Sequence, residues 1–256
     1  MNNKLKQTLI SSALLSTLAL VGCNSTQNSN NITSIQAFEQ QLQQSDRPEK
    51  DKLRDAGRKP AQVVDFFGIE PGMTVLEVLS SGGYYTEILS EKVGSNGQVI
   101  AQNNRFILDV FNGRFAKEFE QRFDNNRLNN VDHYVKEFTE FDLNNQVDVI
   151  TIILNYHDMY SNFSQTKRAK VLAQMKQALK PGGTVGVIDI ESKHGNQKAL
   201  HRISADLVIK DFTEAGFVLD SEAEFLKNPA DDYSKMVFDP SVRGKTDRFV
   251  LRFKAQ

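Results

Sequence analysis

The sequence is poor in the residues that mark several common classes of protein. Cys23 is the single cysteine among 256 residues, so no disulfide can form within the chain. Lys and Arg number 31 against 32 Asp and Glu, and a net charge of -1 offers no basic surface for nucleic acid. The 4 histidines show no spacing such as HxxxH, and we therefore predict no metal site.

An apolar run near the amino terminus has the features of a secretion signal. Two lysines precede the run from Leu9 to Val21, which is too short for a stable transmembrane helix. The run ends in LVGC at Cys23, which resembles the lipobox of bacterial lipoproteins. The resemblance implies that residues 1–22 are removed, that Cys23 is lipidated, and that the protein is periplasmic. Asn24, in place of Asp, implies the outer membrane; the alternative is a core cysteine in an uncleaved helix.

The segment after Cys23 differs in composition from the rest of the chain. Residues 24–31, NSTQNSNN, are polar and have no apolar periodicity, so we predict a flexible tether over residues 23–34. Residues 35–256 have ordinary globular composition, and no internal repeat is visible. We expect them to form one domain.

Apolar runs and helical patterns alternate along this domain. Such alternation, with strands that are continuous apolar runs, predicts an α/β fold in which helices cover both faces of a parallel sheet. Two final β-like runs have no helix between them and predict a terminal hairpin. The predicted strands are Thr74–Leu79, Gln98–Ala101, Val131–Val135, Val147–Leu154, Thr184–Ile190, Phe217–Leu226 and Asp247–Lys254, and the predicted helices are Ile35–Gln44, one from Pro60 to before Pro71, Tyr84–Val93, Asp109–Phe123, Gln165–Leu179 and Ser204–Ala215.

The segment VLEVLSSGGYYTEILSEKV, from Val75 to Val93, predicts a buried strand, a tight glycine turn and an amphipathic helix. The amino terminus of the helix faces the turn and offers backbone N–H groups to an anion or to hydroxyl groups. Small turn residues, here Gly82 and Gly83, let a ligand approach the main chain. The segment therefore predicts a nucleotide-type cofactor site.

The order of motifs resembles that of the class I S-adenosylmethionine-dependent methyltransferases, from about Arg54 to Phe253. The segments GIEPGMTVLEVLSSGGYYTEIL, GSNGQVIAQN, VDVITIILNYHDM and LKPGGTVGVID stand where that family has its first, second, fourth and fifth strands. Further segments, among them NYHD, LHRIS and RGKTDRFVLRF, are similar to a bacterial exported group of predicted methyltransferases. The resemblance implies a Rossmann-like, doubly wound sheet of seven strands with an antiparallel last strand, and S-adenosylmethionine as the cofactor.

The resemblance also implies a set of cofactor-binding residues. Glu77 matches the acidic residue of the first strand, which fixes the methionine end of the cofactor in the family. Asn103 ends the second strand, where the family has an acidic residue that accepts both ribose hydroxyls. Tyr84 and Asn155 complete the predicted site. The family's GxGxG pattern falls on Leu79, Ser80, Ser81, Gly82 and Gly83, so its last glycine is retained.

Three residues after the fourth predicted strand are candidates for catalysis. His157 can take a proton from a nucleophile, Asp158 can orient it, and Tyr156 can pack on the methylsulfonium or the substrate. A strand end with Asn and Asp is also an ordinary turn signal, and a lone His there is often a surface residue.

Other polar residues are expected at the same edge of the sheet. Asp189 ends the fifth predicted strand. His201 and Arg202 open the following helical segment, where they either reach the same cleft or have a capping or salt-bridge role.

Two functions from different classes remain open at this point. The first is an exported, lipid-anchored methyltransferase that acts on a small molecule or a component of the envelope. The second is a non-catalytic periplasmic protein that binds a small molecule on a degenerate methyltransferase fold. Both place the protein at a membrane through Cys23.

Overall fold

The structure, a computed structural model, describes residues 22–256. The chain divides into two compact units, with the boundary between Ser34 and Ile35. Among the described residues, no helix is both long enough and apolar enough to cross a membrane. The predicted signal sequence covers residues 1–22, of which residues 1–21 lie outside the described residues, and the lipidation of Cys23 stays a prediction.

Strands and helices alternate as the sequence predicts. The strands are β1 (Thr74–Val78), β2 (Gln98–Asn103), β3 (Val131–Val135), β4 (Val147–Ile153), β5 (Leu179–Ile190), β6 (Phe217–Ala223) and β7 (Arg248–Ala255). The helices are α1 (Gly22–Gln44), α2 (Glu49–Arg58), α3 (Pro60–Phe66), α4 (Tyr84–Val93), α5 (Arg105–Glu120), α6 (Tyr156–Asn162), α7 (Gln165–Ala178) and α8 (Ala205–Glu214), with 3-10 helices at Gln121–Asn126 and Lys198–Leu200.

Within the described residues, the seven strands form a single sheet in the order β3-β2-β1-β4-β5-β7-β6. The pairs among β1 to β5 are parallel, and β7 runs antiparallel to both β5 and β6. The sheet therefore has the predicted doubly wound topology with an antiparallel last strand. The strand order reverses between β1 and β4, and the carboxyl ends of β1, β2, β4 and β5 meet at one edge, where such folds bind ligands.

The core lies on both faces of this sheet, because successive side chains of a strand point to opposite faces. In β1, Val75 packs with helices α3 and α4, whereas Leu76 and Val78 pack with the cluster that includes α7 and α8. The continuous apolar runs of the sequence follow from this two-sided burial.

Several elements differ from the sequence-based prediction. Helix α1 begins at Gly22 and includes residues 24–31, for which no helix was predicted, and the flexible tether over residues 23–34 stays a prediction. Helix α5 is interrupted, because Val110 is extended and Phe111 to Gly113 adopt left-handed backbone angles. Strand β5 begins at Leu179, and the KPGG turn forms an irregularity between Leu179 and Thr184 in its pairing with β4. Helices α2 and α6 were not predicted.

Candidate functional site

The turn between β1 and α4 adopts the left-handed backbone at alternate positions. Leu79, Ser81 and Gly83 have φ values of 54°, 52° and 79°. These are the three positions that hold glycine in the GxGxG pattern. Each non-glycine residue in this region costs about 1–2 kcal/mol, and such strain persists where the surrounding structure fixes it, often at functional sites. The turn therefore has left-handed backbone angles at all three glycine positions of the pattern, although glycine occupies only the last of them.

The side chains at the end of β2 hold this loop in place. Gln102 accepts a hydrogen bond from the Leu79 N–H at 3.0 Å. The Oδ1 atom of Asn103 accepts from the Ser81 N–H at 2.8 Å, and its Nδ2 donates to Ser80 Oγ at 2.8 Å. Asn103 is fully buried. The predicted ribose-binding amide thus lies beside the loop, with its two polar atoms already bonded to protein groups.

Asn155, at the end of β4, closes the other side of the turn. Its Nδ2 donates to the Leu79 carbonyl at 3.0 Å and to the Ile153 carbonyl at 2.9 Å. Residues predicted from β1, β2 and β4 therefore meet at the carboxyl edge of the sheet, where parallel strands place their ends together.

Glu77 lies in β1 directly before the loop and is buried. The Thr86 hydroxyl of α4 donates to Glu77 Oε2 at 2.5 Å. Burial raises the pKa of Glu77 to about 7, against the opposing effects of the Thr86 hydrogen bond and the charge of Arg122. A buried carboxyl with a pKa near neutrality loses its proton when a cation binds nearby, because the cation stabilises the carboxylate.

Arg122 covers the outer side of the loop. Its Nε donates to the Gly82 carbonyl, and its Nη2 donates to Asp51 of α2 at 2.7 Å. Its Nη1 forms an ion pair with Glu87 of α4 at 2.8 Å. A Cβ atom built on Gly83 would lie 2.7 Å from Arg122 Cδ, so this position admits only glycine for reasons of space as well as backbone angle.

Tyr84 is directed toward α2 rather than into the predicted pocket. Its hydroxyl donates to Asp55 at 2.6 Å, and burial next to Tyr85 and Asp55 raises its pKa. The guanidinium groups of Arg54 and Arg58 lie 4.6 and 4.4 Å from the centre of its ring. Tyr84 thus helps to fix α2 against the start of α4.

A second cluster forms around His157, at the start of α6. Asp189, which is fully buried near the end of β5, accepts from the His157 main-chain N–H at 2.8 Å. The other carboxylate oxygen lies 2.8 Å from His157 Nδ1. Burial lowers the pKa of His157, but the charge and hydrogen bond of Asp189 together with the charge of Asp158 outweigh burial and raise the pKa above its usual value. With Nδ1 beside a carboxylate, Nε2 is the ring nitrogen left for other partners.

His201 and Asp158 approach that Nε2 atom. The His201 Nδ1 atom lies 3.3 Å from His157 Nε2, and an Asp158 oxygen lies 3.6 Å from the same atom. His201 has a left-handed φ of 54°, which ends the preceding 3-10 helix and aims the ring at α6. The sequence left the role of His201 open, and the structure places it with His157.

Tyr156 and Arg202 lie in the protein core and outside this cluster. The Tyr156 hydroxyl donates to Asp211 of α8 at 2.9 Å, and Tyr156 is fully buried. Arg202 is fully buried and forms two hydrogen bonds to Asp231, at 2.9 and 3.1 Å. Of the two roles left open for Arg202, a position in the cleft or a capping or salt-bridge role, the structure shows the salt bridge. The packing of Tyr156 turns its hydroxyl toward Asp211 and away from His157.

Comparison with known proteins agrees with this fold. The family model described as the ubiE/COQ5 methyltransferase family matches residues 54–216, which is more than half of the chain. The chain belongs to the ubiE/COQ5 methyltransferase family. The match includes the glycine loop, Asn103 and the His157 cluster.

One curated relative and two solved structures illustrate the extent of the similarity. The ubiquinone/menaquinone biosynthesis C-methyltransferase UbiE of Idiomarina loihiensis is 26% identical over 193 residues, which cover 74% of this chain and 66% of the relative. The match therefore spans slightly less than two thirds of that relative's length. A SAM-dependent methyltransferase from Aquifex aeolicus superposes with a TM-score of 0.59 at 23% identity, over 83% of this chain and 100% of that chain. The glycopeptide N-methyltransferase MtfA, complexed with sinefungin, has a TM-score of 0.55 at 12% identity, over 78% and 86%. These structures share the class I methyltransferase fold.

Proposed function

We propose that this protein is an S-adenosylmethionine-dependent methyltransferase whose cofactor site is the loop Leu79–Gly83. The observation that carries the proposal is the retained left-handed backbone at the three GxGxG positions. Two of these positions hold side chains that make the conformation costly, at about 1–2 kcal/mol each. The loop also lies at the reversal of strand order, the usual ligand position in open α/β sheets.

The residues around the loop fit the two ends of the cofactor unequally. Buried Glu77 supplies a carboxyl for the cationic methionine end, and Asn103 and Ser80 supply polar atoms for the ribose. Asn103 must exchange its protein hydrogen bonds for bonds to the ligand, which limits the net gain. The carboxylate of Glu118, 2.6 Å from a Cβ built on Gly82, ends a flexible side chain that can move aside.

The His157 cluster is the proposed acceptor site. When bound, the cofactor supplies an electrophilic methyl group, and transfer is an in-line displacement that depends chiefly on positioning. His157 Nε2 takes the proton that the acceptor atom loses, and Asp189 holds the imidazole in the orientation that leaves Nε2 available. Asp158 is half exposed and lies within reach of both histidines, so it can orient the acceptor.

The proposal extends to the location of the protein. The lipobox-like LVGC sequence supports export, lipidation of Cys23 and attachment to a membrane, with the outer membrane favoured by Asn24. The acceptor is then a small molecule or an envelope component. Cell fractionation tests this step, because Cys23→Ser should release the protein from the membrane fraction, and persistent membrane association would contradict lipidation.

One observation favours a second function, that of a non-catalytic small-molecule-binding protein on the same fold. Asn103 is satisfied by Ser80 and Ser81, and Arg122 is fixed over Gly83 by partners on α2 and α4. These contacts complete the loop without a ligand. A protein that had lost the cofactor would keep such contacts for stability.

Titration calorimetry of the purified protein with S-adenosylmethionine and S-adenosylhomocysteine distinguishes the two functions. The methyltransferase proposal expects a Kd on the order of micromolar, or about -8 kcal/mol. Gly83→Ala should weaken binding at least about 10-fold, since its Cβ displaces Arg122. Gly182→Ala is the matched control, because Gly182 has a similar φ of 83° but open space around its Cα. No heat of binding at millimolar ligand, with a normal melting transition, would overturn the methyltransferase proposal.

A further inference from the structure

Three potential metal-ligand atoms meet beside the end of β5. His157 and Asp158 come from α6, and His201 comes from the turn after the 3-10 helix, 44 residues later in sequence. One ligand atom from each of the three residues lies within 4.8 Å of the others. Because the two histidines are far apart in sequence, no spacing motif marks the cluster, and the prediction of no metal site rested on spacing alone.

The distances within the cluster are close to the edges of a tetrahedron around a metal ion, and a small rotation of the Asp158 carboxylate would bring one oxygen near both nitrogens. His157 Nε2 and His201 Nδ1 are 3.3 Å apart, Asp158 Oδ2 lies 3.6 Å from His157 Nε2, and the other carboxylate oxygen, Oδ1, lies 3.4 Å from His201 Nδ1. Metal–ligand bonds of about 2.0–2.1 Å at tetrahedral angles place ligand atoms about 3.3–3.4 Å apart. The three side chains therefore need little movement to share one ion.

Asp189 orients the first ligand in the manner found at metal sites. Its carboxylate lies 2.8 Å from His157 Nδ1 and also accepts the main-chain N–H groups of His157 and Ile190, both at 2.8 Å. A carboxylate bonded to one imidazole nitrogen fixes the tautomer and leaves the lone pair of the other nitrogen for a metal. The Nε2 lone pair of His157 then faces His201 Nδ1, and a proton or a cation must lie between the two nitrogens.

The three side chains differ in exposure, so that one ligand is protected from solvent and a metal ion can enter past the other two. The side chain of His157 is 6% exposed, whereas those of His201 and Asp158 are 35% and 50% exposed. We propose that His157, Asp158 and His201 bind one divalent transition-metal ion of the zinc class, with Asp189 as the supporting carboxylate. Two imidazoles and one carboxylate suit such ions, whereas Mg²⁺ and Ca²⁺ prefer oxygen ligands. Three protein ligands leave a coordination position for solvent or substrate.

This inference does not depend on cofactor binding. The site uses none of the loop residues, and metal binding is measured without S-adenosylmethionine. If both occur, the metal takes the lone pair that otherwise accepts a proton, and an acceptor bound to the ion loses its proton more readily.

The test is calorimetry of the full protein, purified without a polyhistidine tag and stripped with a chelator. Titration with Zn²⁺ should give one equivalent of saturable binding, and Mg²⁺ should give none. His201→Gln and Asp158→Asn should each weaken Zn²⁺ binding at least about 10-fold, the lower end of the losses seen for supporting groups. His194→Gln is the control, because His194 is an exposed histidine near the end of β5 but not a member of the cluster.

Titration with Co²⁺ gives an independent readout, since a tetrahedral site produces intense visible absorption that an octahedral site lacks. The inference expects this spectrum in the unmodified protein and its loss in His201→Gln. Zn²⁺ binding that is absent, that is unchanged in His201→Gln and Asp158→Asn, or that falls equally in His194→Gln would overturn it. Both cluster variants replace partly exposed side chains, and their melting transitions should remain close to that of the unmodified protein.

Discussion

Replacing Asn103 with Asp should strengthen cofactor binding. Asn103 stands where the family has an acidic residue for the ribose hydroxyls, and its amide is held by the Ser81 N–H and Ser80 Oγ at 2.8 Å each. A carboxylate keeps the first bond, and the Ser80 hydroxyl can reverse its role and donate. The substitution loses the long contact of Asn103 Nδ2 with the Ser81 carbonyl at 3.4 Å, and the Ser80 hydroxyl gives up its 3.4 Å bond to the Gln102 carbonyl.

The expected gain follows from the charge of the acceptor. Hydrogen bonds to a charged group contribute about 1.5–3 kcal/mol, against about 1 kcal/mol for neutral pairs. The difference of about 0.5–2 kcal/mol corresponds to a Kd that is roughly 2- to 30-fold lower. Because Asn103 is fully buried, Asn103→Asp should also lower the free energy of unfolding of the unliganded protein.

Calorimetry with S-adenosylhomocysteine measures this gain, and chemical denaturation measures the loss of stability. Asn104→Asp is the control, because it adds the same charge at the next residue, where Asp can also cap α5 by accepting from the Ile107 N–H, and it loses only the 3.4 Å bond of Asn104 Nδ2 to Glu137. A folded Asn103→Asp protein with unchanged or weaker affinity would refute the assignment of Asn103 to the ribose.

Three further predictions concern stability. Glu77 has a folded pKa of about 7 against its ordinary 4.5, so the folded protein binds this proton more tightly than the unfolded chain and loses stability as pH rises through that interval. Relative to the unmodified protein, the free energy of unfolding of Glu77→Gln should therefore increase by about 3 kcal/mol from pH 4 to pH 8 in urea melts. Parallel pH profiles of the two proteins would contradict the buried position of Glu77. Ser81→Gly should leave stability unchanged or raise it by up to about 1 kcal/mol, because it relieves the strain of a left-handed backbone with a φ of 52°. Ser80→Gly should lower stability, because it removes the hydroxyl to which Asn103 donates. Equal losses for the two variants in thermal melts would argue against the strained loop. Arg202→Leu should lower the free energy of unfolding by about 3–5 kcal/mol, since it leaves buried Asp231 without its ion pair. Arg252→Leu, which breaks the more exposed pair with Asp220, should lower it by about 1 kcal/mol or less in the same denaturant assay, and similar losses from the two variants would contradict this account.

Most of the fold could be predicted because its causes are local. Apolar runs bounded by glycine and proline marked the strands, and the missing helix before β7 marked the terminal hairpin. Element ends were less predictable where tertiary contacts override local preference. The break in α5 falls at Phe111 to Gly113, where only Gly113 is a recognisable breaker, and the additional residues of β5 pair with Val147 through an irregularity that no local pattern indicates.

The candidate site divides in the same way. Its loop, Glu77, Asn103 and Asn155 were predictable because each follows or lies in a strand whose end reaches the same edge. Arg122 was missed, since its partners Asp51 and Gly82 lie 71 and 40 residues away and nothing in its own segment signals them. The His157–His201 pair was equally hidden by sequence distance.

Tyr84 and Tyr156 show that the position of a residue in a motif does not determine where its side chain points. Both flank loops that were correctly placed at the sheet edge. Their hydroxyls instead find buried carboxylates, Asp55 for Tyr84 and Asp211 for Tyr156. A buried tyrosine takes the nearest acceptor that satisfies its hydroxyl, and that acceptor is set by helix packing.

A crystal structure of the protein grown with millimolar S-adenosylhomocysteine tests the central claim most directly. The account predicts ligand density across the carboxyl ends of β1, β2 and β4, with the ribose beside Asn103, the methionine end toward Glu77, and Glu118 moved away from Gly82. Crystals in which Asn103 keeps its bonds to Ser80 and Ser81, and in which no ligand occupies that edge of the sheet, would contradict it.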